Sequence, residues 1–289
     1  MRTRAALAVL AAAILAARAS AAPQIQAVLS ADTKPYQEAW EGFRSEAGET
    51  AAMDVVGVPD TDGSFESARV IVAFGSKAAL KEYRTGRKLI IAMAPSVSTR
   101  GRGEVLRVAM TPSPRALLSS LRALQPGLKS LAVIWKSEFY GEQYLPLLRE
   151  AGKAIGIEIK SVEVGDEGDI PDLMRSLYGR ADALWLPPDP LVISEANFLL
   201  FRDFSLSNRV PLYVPIPSLA ERGATASVGV GFRAIGRAAG RVAKQALAGD
   251  APSLSFPEPA ETVLNGGSAA KVGLTIPPET LKNLTRVIP

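Results

Sequence analysis

The chain contains neither cysteine nor histidine. Without cysteine there can be no disulfide, so the chain must be held by its core alone. Without histidine it lacks the commonest general base near neutral pH and the commonest metal ligand. Hydrolytic chemistry would have to run on carboxylates and hydroxyls, and Asp and Glu are scattered rather than grouped at calcium-loop spacing. No metal, no cofactor and no catalytic residue are therefore expected. Low-complexity runs and sequence repeats of about 20 to 50 residues are also missing. Aromatic residues make up only 6% of the chain, so each ring near a strand end is worth following.

A charge excess is missing too, once the amino terminus is set aside. Arg2 and Arg4 precede an apolar stretch, Ala5 to Ala17, and Ala19-Ser20-Ala21 fits a small-x-small cleavage site. Residues 1–21 thus read as a signal peptide. The stretch falls short of the roughly 20 residues that a membrane helix needs. A non-cleaved anchor is the lesser alternative. The whole chain has 33 Lys+Arg and 29 Asp+Glu; the leader holds three arginines and no acid, so 30 face 29 in the remainder, a balance of +1. Nucleic acid needs a clustered basic excess, and Arg100-Gly-Arg102 is only a short basic loop. Neither nucleic acid nor an anionic membrane is expected as partner. Lipidation at the cleavage site needs a cysteine, so the protein is not expected to be a lipoprotein. A free exported chain suits the periplasm.

What is present is a repeated strand, loop and helix. Buried strands are expected at Ala27–Ser30, Met53–Val58, Val70–Phe74, Lys88–Ala94 and Glu104–Met110. A helix opens at Pro35, with Tyr36, Ala39, Trp40, Phe43 and Ala47 on one face of a 3.6-residue period. Another begins at Gly75-Ser76-Lys77 and ends near Gly86. Thr111-Pro-Ser-Pro114 punctuates the chain, and the pattern restarts. Strands follow at Ser130–Trp135, Glu158–Val164, Ala183–Leu186 and Val210–Pro215. Helices are expected at 115–124, about 140–155, 169–178 and about 191–206. Ala226–Phe232 reads as a strand returning to the first lobe, followed by a long helix. The tail reads as a strand from Phe256 to Asn265, a short helix at 268–272 and a last helix at 277–287. Short continuous apolar strands spaced by helices indicate an α/β fold with parallel sheets covered on both faces. A mature length of 268 residues suits two lobes, since single cores tend to split beyond about 250 residues. The boundaries expected are 22–110 with 226–250 for lobe 1, and 111–225 with 251–289 for lobe 2.

Ligands of open α/β sheets bind beyond the carboxyl ends of the strands. Asp189, after Leu186-Pro-Pro188, is therefore a ligand candidate, with helix capping as its structural alternative. Ser30, Asp32 and Tyr36 follow the first strand, although a loop Asp often serves an Asx-turn. Gly75-Ser76 opens a helix with free backbone N–H groups suited to a carboxylate or phosphate, or forms an ordinary cap. Ser96 ends another strand. Ser137 and Phe139 follow Trp135, and Tyr213 and Phe232 are further candidate cleft aromatics, with core packing as the alternative for each ring. Ser268-Ala-Ala-Lys271 has serine–lysine spacing but no companion motif. Gly229-Val-Gly231 lacks the third glycine of a dinucleotide site.

The second half carries an ordered series: Ala181-Asp-Ala, Pro188-Asp189, Val210-Pro-Leu212, Arg222-Gly-Ala224, Ser227-Val-Gly229, Ile235-Gly-Arg237, Leu247-Ala-Gly249, Asn265 and Val272-Gly-Leu-Thr-Ile-Pro277. In this order and spacing it resembles the substrate-binding proteins of ABC importers, in the amino-acid-linked branch of type 1 periplasmic binding proteins. The likeness covers about 130–289 well and residues 25–110 more weakly. It implies two Rossmann-like lobes joined by crossing segments, and a small polar ligand held between them when they close on a hinge. It also implies a permease partner and a monomeric binding protein. One departure stands out. Where the family usually has an acid just before the aromatic residue and the Ile-Gly-Arg helix, this chain has Gly231-Phe232. A sensor protein docking on a membrane kinase or cyclase would share the fold and cleft, and an enzyme on the same fold is a third reading.

Overall fold

The computed structural model describes residues 24–48, 51–58 and 68–289, so the leader read at residues 1–21 lies outside the described residues. The first lobe begins with β1 (Ile25–Leu29), α1 (Lys34–Ala47), β2 (Ala52–Val55), β3 (Val70–Phe74), a single turn α2 (Ser76–Ala79), β4 (Lys88–Ala92) and β5 (Val105–Val108). The second runs through α3 (Pro114–Leu124), β6 (Ser130–Trp135), α4 (Leu145–Ile155), β7 (Glu158–Glu163), α5 (Ile170–Leu177) and β8 (Ala183–Trp185). It continues with α6 (Glu195–Asn208), β9 (Leu212–Val214), α7 (Pro217–Glu221) and β10 (Ala226–Gly229). The chain then makes α8 (Phe232–Ala248), β11 (Leu254–Ser255), β12 (Glu261–Asn265), α9 (Gly266–Lys271), α10 (Pro278–Lys282) and β13 (Arg286–Ile288).

Two sheets result, in the orders β11-β5-β4-β3-β1-β2 and β13-β12-β10-β9-β8-β6-β7. The first is parallel throughout; in the second, β10 and β12 run antiparallel. All five residues of β1 and of β3 are buried, the pattern of strands covered on both faces. Helices α1 and α8 cover one face of the first sheet around Phe43, Phe74 and Ile235. The second sheet packs α3 and α4 on one side and α5 and α6 on the other. This is the two-sheet α/β architecture expected from the sequence.

The strand at Ala226 departs from the expectation. It pairs with β9 and β12, so it belongs to the second sheet, and the chain crosses back only at Val230-Gly231. Thr225 holds it there: its Oγ1 accepts from Leu212 N at 3.0 Å and its carbonyl accepts from Asn265 N at 3.0 Å. Conversely, β11 lies within the segment assigned to lobe 2 yet pairs with β5 of the first sheet. The chain therefore crosses between sheets three times, after β5, after β10 and between β11 and β12.

Three helices also differ. The turn at Ser76 stops at Ala79 because the Tyr83 hydroxyl donates to Ala78 O at 2.7 Å, the carbonyl that a continuing helix would use. The helix after Asp189 begins at Glu195 rather than Leu191, since Asn197 Nδ2 donates to Leu191 O at 2.8 Å and holds that segment as a turn. The last helix ends at Lys282, and Val287 and Ile288 instead pair with Leu264 and Asn265 of β12. β-branched side chains favour that extended state.

Candidate functional site

The crossings border a cleft of about 750 Å³. Its walls come from both sheets. Pro188 follows β8, Pro215 to Ser218 follow β9, and Met110 follows β5. Val230 and Gly231 form the second crossing, and Pro259 and Glu261 lie at the third. The amino-terminal end of α8, from Phe232 to Arg237, and Glu38 of α1 complete it. Proline, isoleucine, valine, alanine, methionine and phenylalanine supply most of this lining, with five charged groups among them.

Most of those charges are already paired. Glu38 lies 3.9 Å from Lys34, Glu221 pairs with Arg286, and Arg233 pairs with Glu41. Glu261 and Arg237 have no hydrogen-bonding or ionic partner for their side chains among the described residues. Glu261 was not singled out from the sequence, where it is one acid in a proline-rich tail. Only the antiparallel pairing of β12 with β10 brings it to the crossing.

Of the sequence-derived candidates, Phe232 lines this cleft. The others fall into separate groups. In the first lobe, Ser30 and Tyr36 converge on the bare Cα of Gly75, whose φ is +91°; a Cβ there would lie 2.6 Å from Ser30 Oγ. That backbone conformation and crowding both require glycine. Ser30 Oγ also accepts from Ala78 N at 2.9 Å, so it caps the short turn that Ser76 opens. Ser76 is half-buried, while Asp32 and Ser96 are exposed. Asp32 accepts from Gln37 Nε2 at 2.9 Å.

In the second lobe Asp189 is 2% exposed and acts as a tie. Its Oδ2 accepts from the backbone N–H groups of Lys136 at 3.0 Å and Ser137 at 2.5 Å, and its Oδ1 from Leu191 N at 3.3 Å. The carboxylate thus joins the ends of β6 and β8, in addition to shaping its own turn. Phe139 is buried and stacks under Arg107. The Ser137 hydroxyl is buried and makes no hydrogen bond among the described residues. Tyr213 is wholly buried against α3, and its hydroxyl bonds Gln125 at 3.0 Å, at the end of α3 remote from the first crossing. It is a core residue, and a cleft role for it is corrected: alternation along β9 turns its ring to the α3 face. Ser268 Oγ donates to Gly223 O at 3.0 Å, and Asn265 caps its helix.

A junction missed by sequence reading joins the lobes beside Phe139. Residues Phe139–Tyr144 form a π-helical turn where a plain helix was expected. Gly141 packs its bare Cα against the Trp135 ring, and Pro146 has no N–H to offer Glu142, so the winding relaxes there. Arg107 of β5 is 4% exposed and donates to Ala94 O at 3.0 Å and Val97 O at 2.8 Å. Its guanidinium carbon sits 5.0 Å from the Phe139 ring centre, a cation–π contact across the lobes. Burial lowers the Arg107 pKa, an effect that Tyr140 and Glu138 oppose. Nearby, Ser98 Oγ donates to Glu138 Oε2 at 2.8 Å, and Arg100 pairs with Glu138 at 3.1 Å and with Glu142. An arginine inside a strand was the available signal, but nothing local said which ring it would meet.

Comparison with known proteins agrees with this geometry. A family model described as ABC transporter substrate binding protein matches residues 117–288. A tyrosine-binding protein of Clostridioides difficile is 24% identical over 153 residues, which is 51% of this chain and 44% of that protein's length. The chain thus spans less than half of that relative. An ABC domain in complex with L-Trp from Streptococcus pneumoniae superposes with a TM-score of 0.62 at 18% identity, covering 93% of this chain and 100% of that one. The ligand-free, open structure of a substrate-binding protein with adhesive properties from Clostridium difficile gives a TM-score of 0.61 at 18% identity, over 91% and 98% of the two chains. These similarities identify the type 1 periplasmic binding fold. Among the described residues no helix is long and apolar enough to cross a membrane.

Proposed function

Because this chain belongs to the ABC transporter substrate-binding protein family, whose members bind rather than convert, we propose that it captures a small amino acid-like ligand between its lobes. It then delivers that ligand to an importer permease from the periplasmic side. The observation that carries the reading is the cleft of about 750 Å³ at the three crossings, apolar in most of its lining and holding a few charges. Pockets of that composition suit a small molecule with one apolar part and a few polar groups. The tyrosine- and tryptophan-binding relatives make an aromatic amino acid the first ligand to try.

Binding would work by closure on the three crossings. A ligand shifts the lobes only if it binds the closed state more tightly than the open one. The Arg107–Phe139 contact and the Arg100–Glu138 pair supply lobe-to-lobe contacts that closure can make or keep. The permease then reads the closed form, and no bond is made or broken in the protein.

Thermal unfolding with each of the twenty L-amino acids tests the ligand class. A ligand at about 100 times its Kd should stabilise the protein by about 2.7 kcal/mol. That appears as a clear rise in Tm for one or a few amino acids. A flat response across the whole panel at millimolar concentration would rule the ligand class out.

A further inference from the structure

We propose that Glu261 reads the ammonium group of an amino-acid zwitterion in this cleft, that Arg237 answers its carboxylate, and that Gly231 is glycine to leave Glu261 its place. The inference rests on the amino-acid reading above and deepens it.

Three observations converge. First, the antiparallel register sets Glu261 opposite Gly229, at the edge of the second crossing. From there its carboxylate lies over Gly231: a Cβ at 231 would stand 2.7 Å from Oε1 and 3.4 Å from Cδ. Second, the backbone does not ask for glycine at that position. Gly231 has φ −71° and ψ 151°, which any residue adopts. What glycine contributes there is room, and Glu261 occupies that room. Gly229 is different, because a Cβ there would collide with the backbone carbonyl of Pro215.

Third, the charges of the cleft sort themselves. Of its three acids, Glu38 and Glu221 already face Lys34 and Arg286, and of its two arginines, Arg233 already faces Glu41. One acid and one arginine remain, Glu261 and Arg237, and they do not pair with each other. A ligand carrying a single charge would answer one of them. A zwitterion answers both, and Phe232, Ile216 and Met110 offer an apolar wall for its side chain. The Glu261 carboxylate can accept ammonium hydrogens, and Arg237 can present its planar fork to a carboxylate.

The test is calorimetric titration of the full chain with the twenty L-amino acids, then with the best binder's deaminated and decarboxylated analogues. The variants are Glu261→Gln, Arg237→Gln and Gly231→Ala. Glu261→Gln keeps shape and removes charge, and is expected to weaken the amino acid about 10- to 100-fold, as loss of a charged hydrogen bond does. It should weaken the deaminated analogue less than threefold. Arg237→Gln should show the reverse preference, sparing the decarboxylated analogue. Gly231→Ala should weaken the amino acid by displacing the carboxylate, with Tm retained, and should add little in the Glu261→Gln background. If the wild type binds an amino acid and Glu261→Gln binds it within twofold, the inference is overturned while the amino-acid reading stands. If the wild type binds none of the twenty, both fall together.

Discussion

Gly236→Ala should destabilise the protein by about 3 kcal/mol, the upper end of ordinary overpacking. The sign is the informative part. In an exposed helix the same change would stabilise by about 1 kcal/mol, because alanine is the better helix former. Here α8 crosses α1 with backbone against backbone. A Cβ on Gly236 would stand 2.7 Å from the Ala39 carbonyl carbon and 2.8 Å from Phe43 N. Gly240 meets Phe43 O at 2.9 Å in the same way, and Gly42 on α1 faces the backbone of Arg233. No flexible side chain stands at these contacts to move aside except Glu46 near Gly240. Chemical denaturation reads the effect directly, and an unchanged or raised midpoint would show that the two helices do not approach as closely as described. Since Phe232 and Arg237 ride on the first turns of α8, a lobe that adapts by tilting α8 should also lose ligand affinity.

Asp189→Ala comes next, with an expected loss of about 3 kcal/mol. The carboxylate accepts from three backbone N–H groups and is 2% exposed. Alanine would leave those donors without their partner, and each unsatisfied buried group costs on the order of 1–3 kcal/mol, with relaxation recovering part of the sum. Asp189→Asn should cost less, since its amide oxygen can still accept from Lys136 and Ser137 while the Leu191 bond is lost. Ligand affinity should fall in step with stability for both variants, because the residue acts on the strand ends rather than on the ligand. A variant with full stability and abolished binding would reverse that assignment and make Asp189 a direct ligand contact.

How much of this was legible in the chain depends on the range of the interaction involved. Burial and period are local properties, so Val70–Phe74 and Ser130–Trp135 could be delimited to the residue from apolar runs. The Ser113 cap, whose hydroxyl accepts from Ala116 N at 3.3 Å, likewise sits where Thr111-Pro-Ser-Pro114 announces a boundary. Sheet membership is not local. Nothing in Ala-Ser-Val-Gly says whether β10 pairs with a first-lobe or a second-lobe strand, and the deciding bonds come from Leu212 and Asn265. Tyr213 was misplaced for the same reason, as a strand of three buried residues gives no alternation to tell one face from the other.

The candidate site divides along the same line. The sequence by itself determined that strand ends of two βα lobes would hold the polar residues, because buried parallel strands must release their chain into loops at one end. It also determined that cysteine and histidine chemistry plays no part, because those side chains are absent. Only the tertiary structure decided which polar groups remain available. Asp189, at the most conspicuous strand end, is taken up by backbone N–H groups from a loop 52 residues away. Glu261, in an unremarkable tail, reaches the cleft because β12 pairs antiparallel with β10 and because Gly231 has no side chain to stand in its way. A hydrogen-bond acceptor satisfied by a distant loop and a space left by a missing Cβ are properties of packing, and packing brings together residues that the chain keeps apart.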